Sequence, residues 1–203
     1  MYEEYLIVKS FLDFIFALFL LILLLPLMFL IAFVVKIDSM GPVFFKQKRI
    51  GRNGKVFSIY KFRTMIENAE NMGTGLFNYK DDFRVTRVGK LLRLTSLDEL
   101  PQLYNILMGD MSFVGPRPPV TYELGKFEDL NEEQKKRFII KPGITGLAQI
   151  SGRNELSWDD KIKLDNIYIE ELKRFGFMID LKIILLTIYK VLSMEGSYEV
   201  KNE

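Results

Sequence analysis

Asp98 and Glu99 stand side by side in Arg93-Leu-Thr-Ser-Leu-Asp-Glu-Leu-Pro-Gln-Leu103. Arg117 stands between prolines in Phe113-Val-Gly-Pro-Arg-Pro-Pro119, and Lys61 and Arg63 share the stretch Lys61-Phe-Arg-Thr-Met65. Paired carboxylates with such cations suit attack on, or metal binding at, a phosphate. A carboxylate approaching a phosphate anion meets repulsion of about 4 kcal/mol at roughly 4 Å in an effective dielectric near 20, so cations must converge on the site. Mg²⁺ and an arginine held by flanking prolines both serve that purpose in phosphoryl transfer. Successive helical residues point about 100° apart, which gives Asp98 and Glu99 different roles: one attacks, the other assists or binds metal. Ser96-x-x-Glu99 also fits a capping box, in which Glu99 only satisfies backbone donors of a helix over 97–108. On the alternative reading both carboxylates feel the positive end of that helix, which keeps them ionised and draws in phosphate. The residues alone leave both open.

Composition narrows the chemistry. The 203 residues hold 28 Lys plus Arg and 26 Asp plus Glu, with no His and no Cys. Ser-His-Asp triads, cysteine nucleophiles, His/Cys zinc sites and disulfides are therefore excluded. Residues 36–63 carry eight basic side chains against Asp38 alone, a local charge of +7 in a chain whose net charge is +2. Such a block seeks phosphate, whether on lipid headgroups, nucleotide or nucleic acid.

The elements that position these residues can be read in outline. Phe14 to Val35 is a 22-residue run without a charge, bounded by Asp13 and Lys36. As a helix it extends about 33 Å, enough for a hydrocarbon core of about 30 Å, and it reads as a membrane segment. Pro26 divides it at Leu25-Pro26, removing a backbone donor, so a kinked crossing and a broken helix returning to the same side are both open. The basic block after Val35 places the following chain in the cytoplasm. Residues 43–65 form two β-rich runs about Arg52-Asn53-Gly54-Lys55, a hairpin signal. A short helix is expected near 65–72, then loop to 90; a helix over 97–108 ended by Gly109; a rigid extended loop at 113–119; and an acidic-then-basic helix over 121–137. A Gly-rich turn region over 141–154 follows, with Gly143 and Gly146 permitting tight turns. Amphipathic helices at 158–175 and 178–194 come next, the last with an apolar face wide enough to lie on a bilayer or to form core. Residues 195–203 read as a disordered tail.

KFRTM (61–65), LTSLDELPQLYNILMGDMSFVGPRP (94–118), KPGITGLAQISGRN (141–154) and DLKIILLTI (180–188), behind a proline-containing apolar segment, resemble the bacterial sugar transferases, the monotopic phosphoglycosyl transferases. The similarity runs over about 190 residues in order, and length makes the chain similar to the small members without extra transmembrane helices. The resemblance implies an α/β fold, mostly helical with a small β-hairpin. It divides the chain into a re-entrant N-terminal membrane helix (1–36), a cytosolic catalytic domain (37–194) with interfacial amphipathic helices, and the tail. It implies transfer of a sugar 1-phosphate from a UDP-sugar to undecaprenyl phosphate at the cytoplasmic face of the bacterial inner membrane, with Mg²⁺. Membrane lipids and downstream glycosyltransferases are the other partners implied, and no nucleic acid. By motif position Asp98 becomes the nucleophile of a ping-pong reaction and Glu99 its partner at the metal and the incoming lipid phosphate. Arg117 becomes a phosphate ligand, with Lys61, Arg93, Arg63 and Arg153 as further contacts. Many members carry Ser where this chain has Leu25, which leaves the membrane break less secured.

Two other readings stand beside this one: a non-catalytic membrane-tethered binder of anionic lipid, and the same transfer by direct attack in a ternary complex with Asp98 holding metal only. Asp110, Asp165 and Tyr168 are lesser candidates, the last two sharing a helix face at i, i+3. Trp158, the only tryptophan, fits a membrane interface or a core cap.

Overall fold

The computed structural model describes residues 2–72, 82–152 and 156–193. Its longest element is helix α1, Tyr2–Asp38. Pro26, expected to break the segment, lies inside this one continuous helix. Proline deletes a single backbone donor, and the Leu-rich turns on either side propagate the ladder past it. α1 is long and apolar enough to cross a membrane, and most of it is exposed, unlike a core helix.

One stripe of α1, however, packs along the folded body from end to end. Tyr5 and Leu6 meet a cluster built on Tyr168, Ile169, Leu172 and Ile183. Ala17, Leu20, Leu21 and Leu24 meet Phe57, Ile59, Leu103 and Ile106, and Met28, Ile31, Ala32 and Val35 meet Phe62 and Leu92. These positions recur every three or four residues, the period of one helix face. Both ends are tied as well. Asp180 accepts from Tyr5 Oη at 2.9 Å and Lys9 Nζ at 2.5 Å; Val35 O accepts from Arg63 at 3.2 Å, and Asp38 accepts from the Val88 amide at 3.1 Å. The remaining face carries exposed Phe11, Phe16, Phe19, Ile22, Phe29, Leu30 and Phe33.

The expected hairpin is present: β1 (Phe44–Ile50) pairs antiparallel with β2 (Val56–Phe62) in the register Phe44↔Phe62 to Ile50↔Val56. Its turn places Asn53 at φ 54° and Gly54 at φ 78°, left-handed positions that Asn and Gly tolerate. A helix near 65–72 reduces to a 3₁₀ turn at Ala69–Asn71. Helix α2, Arg87–Leu94, lies partly in the stretch expected as loop. Thr86 caps it, and Gly89 brings it onto Thr64 so closely that a Cβ would lie 2.1 Å from Thr64 O.

The expected 97–108 helix is divided into a 3₁₀ turn, Leu97–Glu99, and a six-residue helix α3, Gln102–Leu107. Pro101, with no amide proton, stands at the junction. Gly109 ends α3 at φ 78°, as expected. Strand β3 (Ser112–Val114) pairs in parallel with β4 (Gly143–Thr145), which lies in the region read as turns. Gly143 and Gly146 permit close approach to Gly115, not tight turns: a Cβ on either would lie 2.1–2.2 Å from Gly115 backbone atoms. The expected 121–137 helix shrinks to a 3₁₀ turn at Phe127–Asp129 and to α4, Glu132–Lys136. Gly125 at φ 78° and an Asn131–Gln134 capping box set those limits. Helix α5 (Leu147–Ser151) leads to α6 (Trp158–Phe175), and α7 (Phe177–Leu192) turns back at Gly176, φ 52°. α7 buries Ile179, Asp180 and Ile183 and leaves Met178, Leu181, Leu185, Ile188 and Leu192 outward. Among the described residues the architecture is mostly helical, with two small two-stranded sheets. The tail from Met194 onward lies outside the described residues.

Candidate active site

The site begins with how α3 is fixed to the hairpin. Asn105, 1% exposed, turns its carboxamide to the edge of β2. It accepts from the Tyr60 amide at 3.1 Å and donates to Ser58 O at 2.7 Å, completing hydrogen bonds that a third strand would otherwise supply. Leu103 and Ile106 pack on Phe57 and Ile59 in the same contact. The 3₁₀ turn ahead of α3 is thereby carried to Lys61, the residue after Tyr60.

Asp98 and Glu99 are both buried. Lys61 Nζ lies 2.6 Å from Glu99 Oε1 and 4.0 Å from Asp98 Oδ2, and Arg117 lies 3.9 Å from Glu99 Oε1. The Ser96 capping box is not formed. Ser96 is left-handed at φ 56° with no side-chain cap bond, and Glu99 is engaged by Lys61 instead. Burial pulls the Lys61 ammonium down from the ordinary lysine value, while the charges of Glu99 and Asp98 push it back. Two carboxylates and two cations thus meet where the 3₁₀ turn, β2 and the Pro-Arg-Pro loop converge. This arrangement can offset the repulsion between a carboxylate nucleophile and a phosphate.

Asp98 and Glu99 also fit Mg²⁺, which takes one or two protein carboxylates and completes its shell with substrate phosphates and water. Among the described residues no group of three or more acidic ligands forms a closed protein cage.

The other residues singled out by sequence have contacts of their own where they are described. Arg63 donates to Val35 O and, at 2.6 and 2.9 Å, to Ser39 O and Oγ, so it ties the end of α1 to the hairpin. Arg93 donates to Thr64 Oγ1 at 2.8 Å. Arg153 lies outside the described residues. Asp165 and Tyr168 serve different partners: Asp165 pairs with Arg137 at 2.8 Å, and Tyr168 Oη donates to Asp180 at 2.6 Å. Trp158 lies against Arg137, its ring centroid 5.1 Å from the guanidinium carbon. It caps that buried pair.

Two arginines beside the site carried no motif signal. Arg49 donates to Pro118 O at 3.0 Å and lies 3.9 Å from Glu123; burial, and then the charge of Arg117, push it down to about 10. Arg137 donates to Arg117 O at 2.7 Å. Arg49 belongs to the basic block of residues 36–63, and the further cue in the sequence is that both flank apolar residues, Ile50 and Phe138, which enter the core.

Burial outweighs Arg137 and lifts the Asp165 carboxyl to about 6. The folded chain therefore holds a proton that the unfolded chain has released between the ordinary value of 3.8 and about 6. The stability tied to this group is fully present below that window and falls as pH rises through it, by at most about 1.4 kcal/mol per pH unit. Asp165→Asn should remove that slope, which melting temperatures of both proteins from pH 4 to 7 would reveal. An unchanged slope would refute the assignment.

A family model described as bacterial sugar transferase matches residues 4–194. The chain is 50% identical over 168 residues to galactosyl transferase CpsE of Streptococcus agalactiae, a match covering 77% of this chain and 36% of that protein. It is 48% identical over 163 residues to the uncharacterized sugar transferase EpsL of Bacillus subtilis, covering 80% of this chain and 76% of that protein. It is 44% identical over 183 residues to the UDP-glucose:undecaprenyl-phosphate glucose-1-phosphate transferase of Klebsiella pneumoniae, covering 88% of this chain and 38% of that protein. The chain therefore spans well under half of the first and third of these proteins. With a family match across nearly its whole length and the paired carboxylates gathered with Lys61 and Arg117, the chain belongs to the bacterial sugar transferase family.

Proposed function

We propose that this chain transfers a sugar 1-phosphate from a UDP-sugar to undecaprenyl phosphate, giving undecaprenyl diphosphate sugar and UMP, through a covalent intermediate on Asp98. The observation that carries the reading is the buried Asp98–Glu99 pair, with Lys61 Nζ 4.0 Å from Asp98 and 2.6 Å from Glu99 and Arg117 3.9 Å from Glu99. An Asp98 carboxylate oxygen attacks the phosphorus that bears the sugar. The bond from that phosphorus to the bridging oxygen breaks, and UMP leaves with the electron pair. An oxygen of undecaprenyl phosphate then attacks the same phosphorus, the acyl phosphate bond breaks, and the carboxylate is regenerated. Lys61 and Arg117 offset the negative charge that accumulates at each step. Mg²⁺ bound by Asp98 and Glu99 would supply Lewis-acid stabilisation of the phosphate oxygens.

Intact-mass measurement of detergent-solubilised protein with a panel of UDP-sugars and Mg²⁺ tests the chemistry. The expected result is a gain of one sugar phosphate, with about one equivalent of UMP released before any lipid acceptor is added. UMP release that requires the acceptor would favour the direct ternary route. No turnover with any UDP-sugar would leave the anionic-lipid binder.

The same reading places α1 in the cytoplasmic leaflet of the inner membrane, with both ends on the cytoplasmic side. Support comes from its ties to one folded body at Asp180 near its start and at Arg63 near its end. The exposed apolar faces of α1 and α7 would then meet lipid together, with interfacial contact along α7. The sequence has no cysteine, so a single Glu3→Cys reports topology cleanly. It should react with a membrane-impermeant maleimide only after the inner membrane is permeabilised; labelling in intact spheroplasts would show that α1 crosses.

A further inference from the structure

Pro116, Pro118 and Pro119 have no backbone N–H, so the loop that carries Arg117 offers its surroundings mainly carbonyl acceptors. All four successive carbonyls are taken. Pro116 O accepts from the Gly143 amide at 3.0 Å, Arg117 O from Arg137 at 2.7 Å, Pro118 O from Arg49 at 3.0 Å, and Pro119 O from the Ile50 amide at 3.0 Å. The donors come from β4, from the chain after α4 and from β1, so three parts of the fold converge on four residues. Proline fixes torsions but not placement, which these donors supply; only a small cavity of about 10 Å³ is left against the loop among Gly51, Pro119, Arg137 and Pro142.

Each arginine is itself secured. Arg137 is almost fully buried, pairs with Asp165 at 2.8 Å and lies against the rings of Trp158 and Phe138 at 5.1 and 5.4 Å. Arg49 donates to Gln47 Oε1 at 2.5 Å besides Pro118 O. Their contacts fall on adjacent carbonyls, those of Arg117 and Pro118. The Arg117 side chain leaves the backbone between the Pro116 carbonyl, held by Gly143, and its own carbonyl, held by Arg137, with Arg49 on the next one; its guanidinium lies 3.9 Å from Glu99.

We propose that Arg49 and Arg137 are positioning residues for Arg117: a two-sided clamp on the Arg117 and Pro118 carbonyls that sets where the Arg117 guanidinium meets the phosphates of the substrate. The inference rests on the reaction proposed above. Neither arginine need touch substrate; each acts through the loop. A charged-group hydrogen bond to a buried carbonyl is directional, and a lysine in the same place keeps the charge while losing the planar fork. Misplacement of a reacting or charge-stabilising group by about 1 Å costs on the order of 10²-fold in rate.

The test is a double-mutant cycle on the first half-reaction, read as UMP release from UDP-sugar per folded molecule, with circular dichroism to count the folded fraction. Arg137→Lys is expected to lower that rate on the order of 10²-fold. Arg117→Ala should lower it as much or more, and Arg137→Lys added to Arg117→Ala should cost less than about threefold further, because one residue acts only through the other. A purely structural role would lower the melting temperature and the folded fraction but leave the rate per folded molecule unaltered. Either that result or fully multiplicative losses would overturn the clamp. Should Arg137→Lys fold poorly, the same cycle with Arg49→Lys decides, since its contact falls on the next carbonyl of the same loop. Absence of UMP release by the unmodified protein would instead sink the proposed reaction, so the two failures are distinguishable.

Discussion

Asp98→Asn should abolish the covalent adduct and lower kcat by about 10⁴-fold or more, the scale seen when a nucleophile is removed from an otherwise intact site. The amide is nearly isosteric with the carboxylate, so Lys61, Glu99 and the 3₁₀ turn at 97–99 should keep their arrangement. What is lost is the anionic oxygen that attacks phosphorus. The measurement is paired: intact mass for the adduct and burst kinetics for UMP. Retained burst and turnover in Asp98→Asn would remove the aspartate from covalent chemistry altogether. Loss of the adduct with turnover preserved would point to the direct route.

Lys61→Met carries the second-largest expected effect. Lys61 faces both carboxylates, at 2.6 Å from Glu99 and 4.0 Å from Asp98. Its removal leaves two buried acidic groups with less compensation than before. Breaking a buried pair by deleting one partner costs about 3–5 kcal/mol in general, because the remaining charge keeps its desolvation penalty. The rate should fall by about 10²–10³-fold, as when one preorganised electrostatic contact is removed from a reacting centre. The acid limb of the pH profile of kcat/KM should also move to higher pH, because a cation that favours ionised carboxylates is gone. A profile with its acid limb in place, together with a small rate change, would show that Lys61 is only a structural counter-ion.

The parts of the fold that were legible are those set by local chemistry. Asn53-Gly54 announces its turn because only small or Asn-like residues accept left-handed torsions there. The 158–175 and 178–194 helices carry long periodic patterns, and Gly109 stops α3 where expected. Legibility fails where tertiary contact decides. Helix α2 is eight residues with a glycine inside, too short for a period, and depends on Gly89 lying against Thr64. Strand β4 is three residues whose identity as a strand exists only through pairing with β3. Glu99 satisfied a capping pattern on paper, yet Pro101 and the left-handed Ser96 release it to Lys61. Within the site, Asp98, Glu99, Lys61 and Arg117 stand out by residue type and context. Arg49 and Arg137 do not, because what they recognise is backbone carbonyl, and a carbonyl has no letter in the sequence.

The N-terminal helix packs one stripe on the folded body along its length and leaves its other face apolar and exposed. The small Ala17 and Ala32, with Val35, form part of its seam with the folded body, while phenylalanines and leucines crowd the opposite side. It is therefore not an interchangeable tether: a generic apolar stretch of equal length could satisfy the bilayer yet would lack the contours against which β2, α2 and α3 are fitted. On the proposed reading, lipid attachment and the alignment of Lys61 with its two carboxylates share one scaffold, and grafting a foreign anchor would disturb both at once.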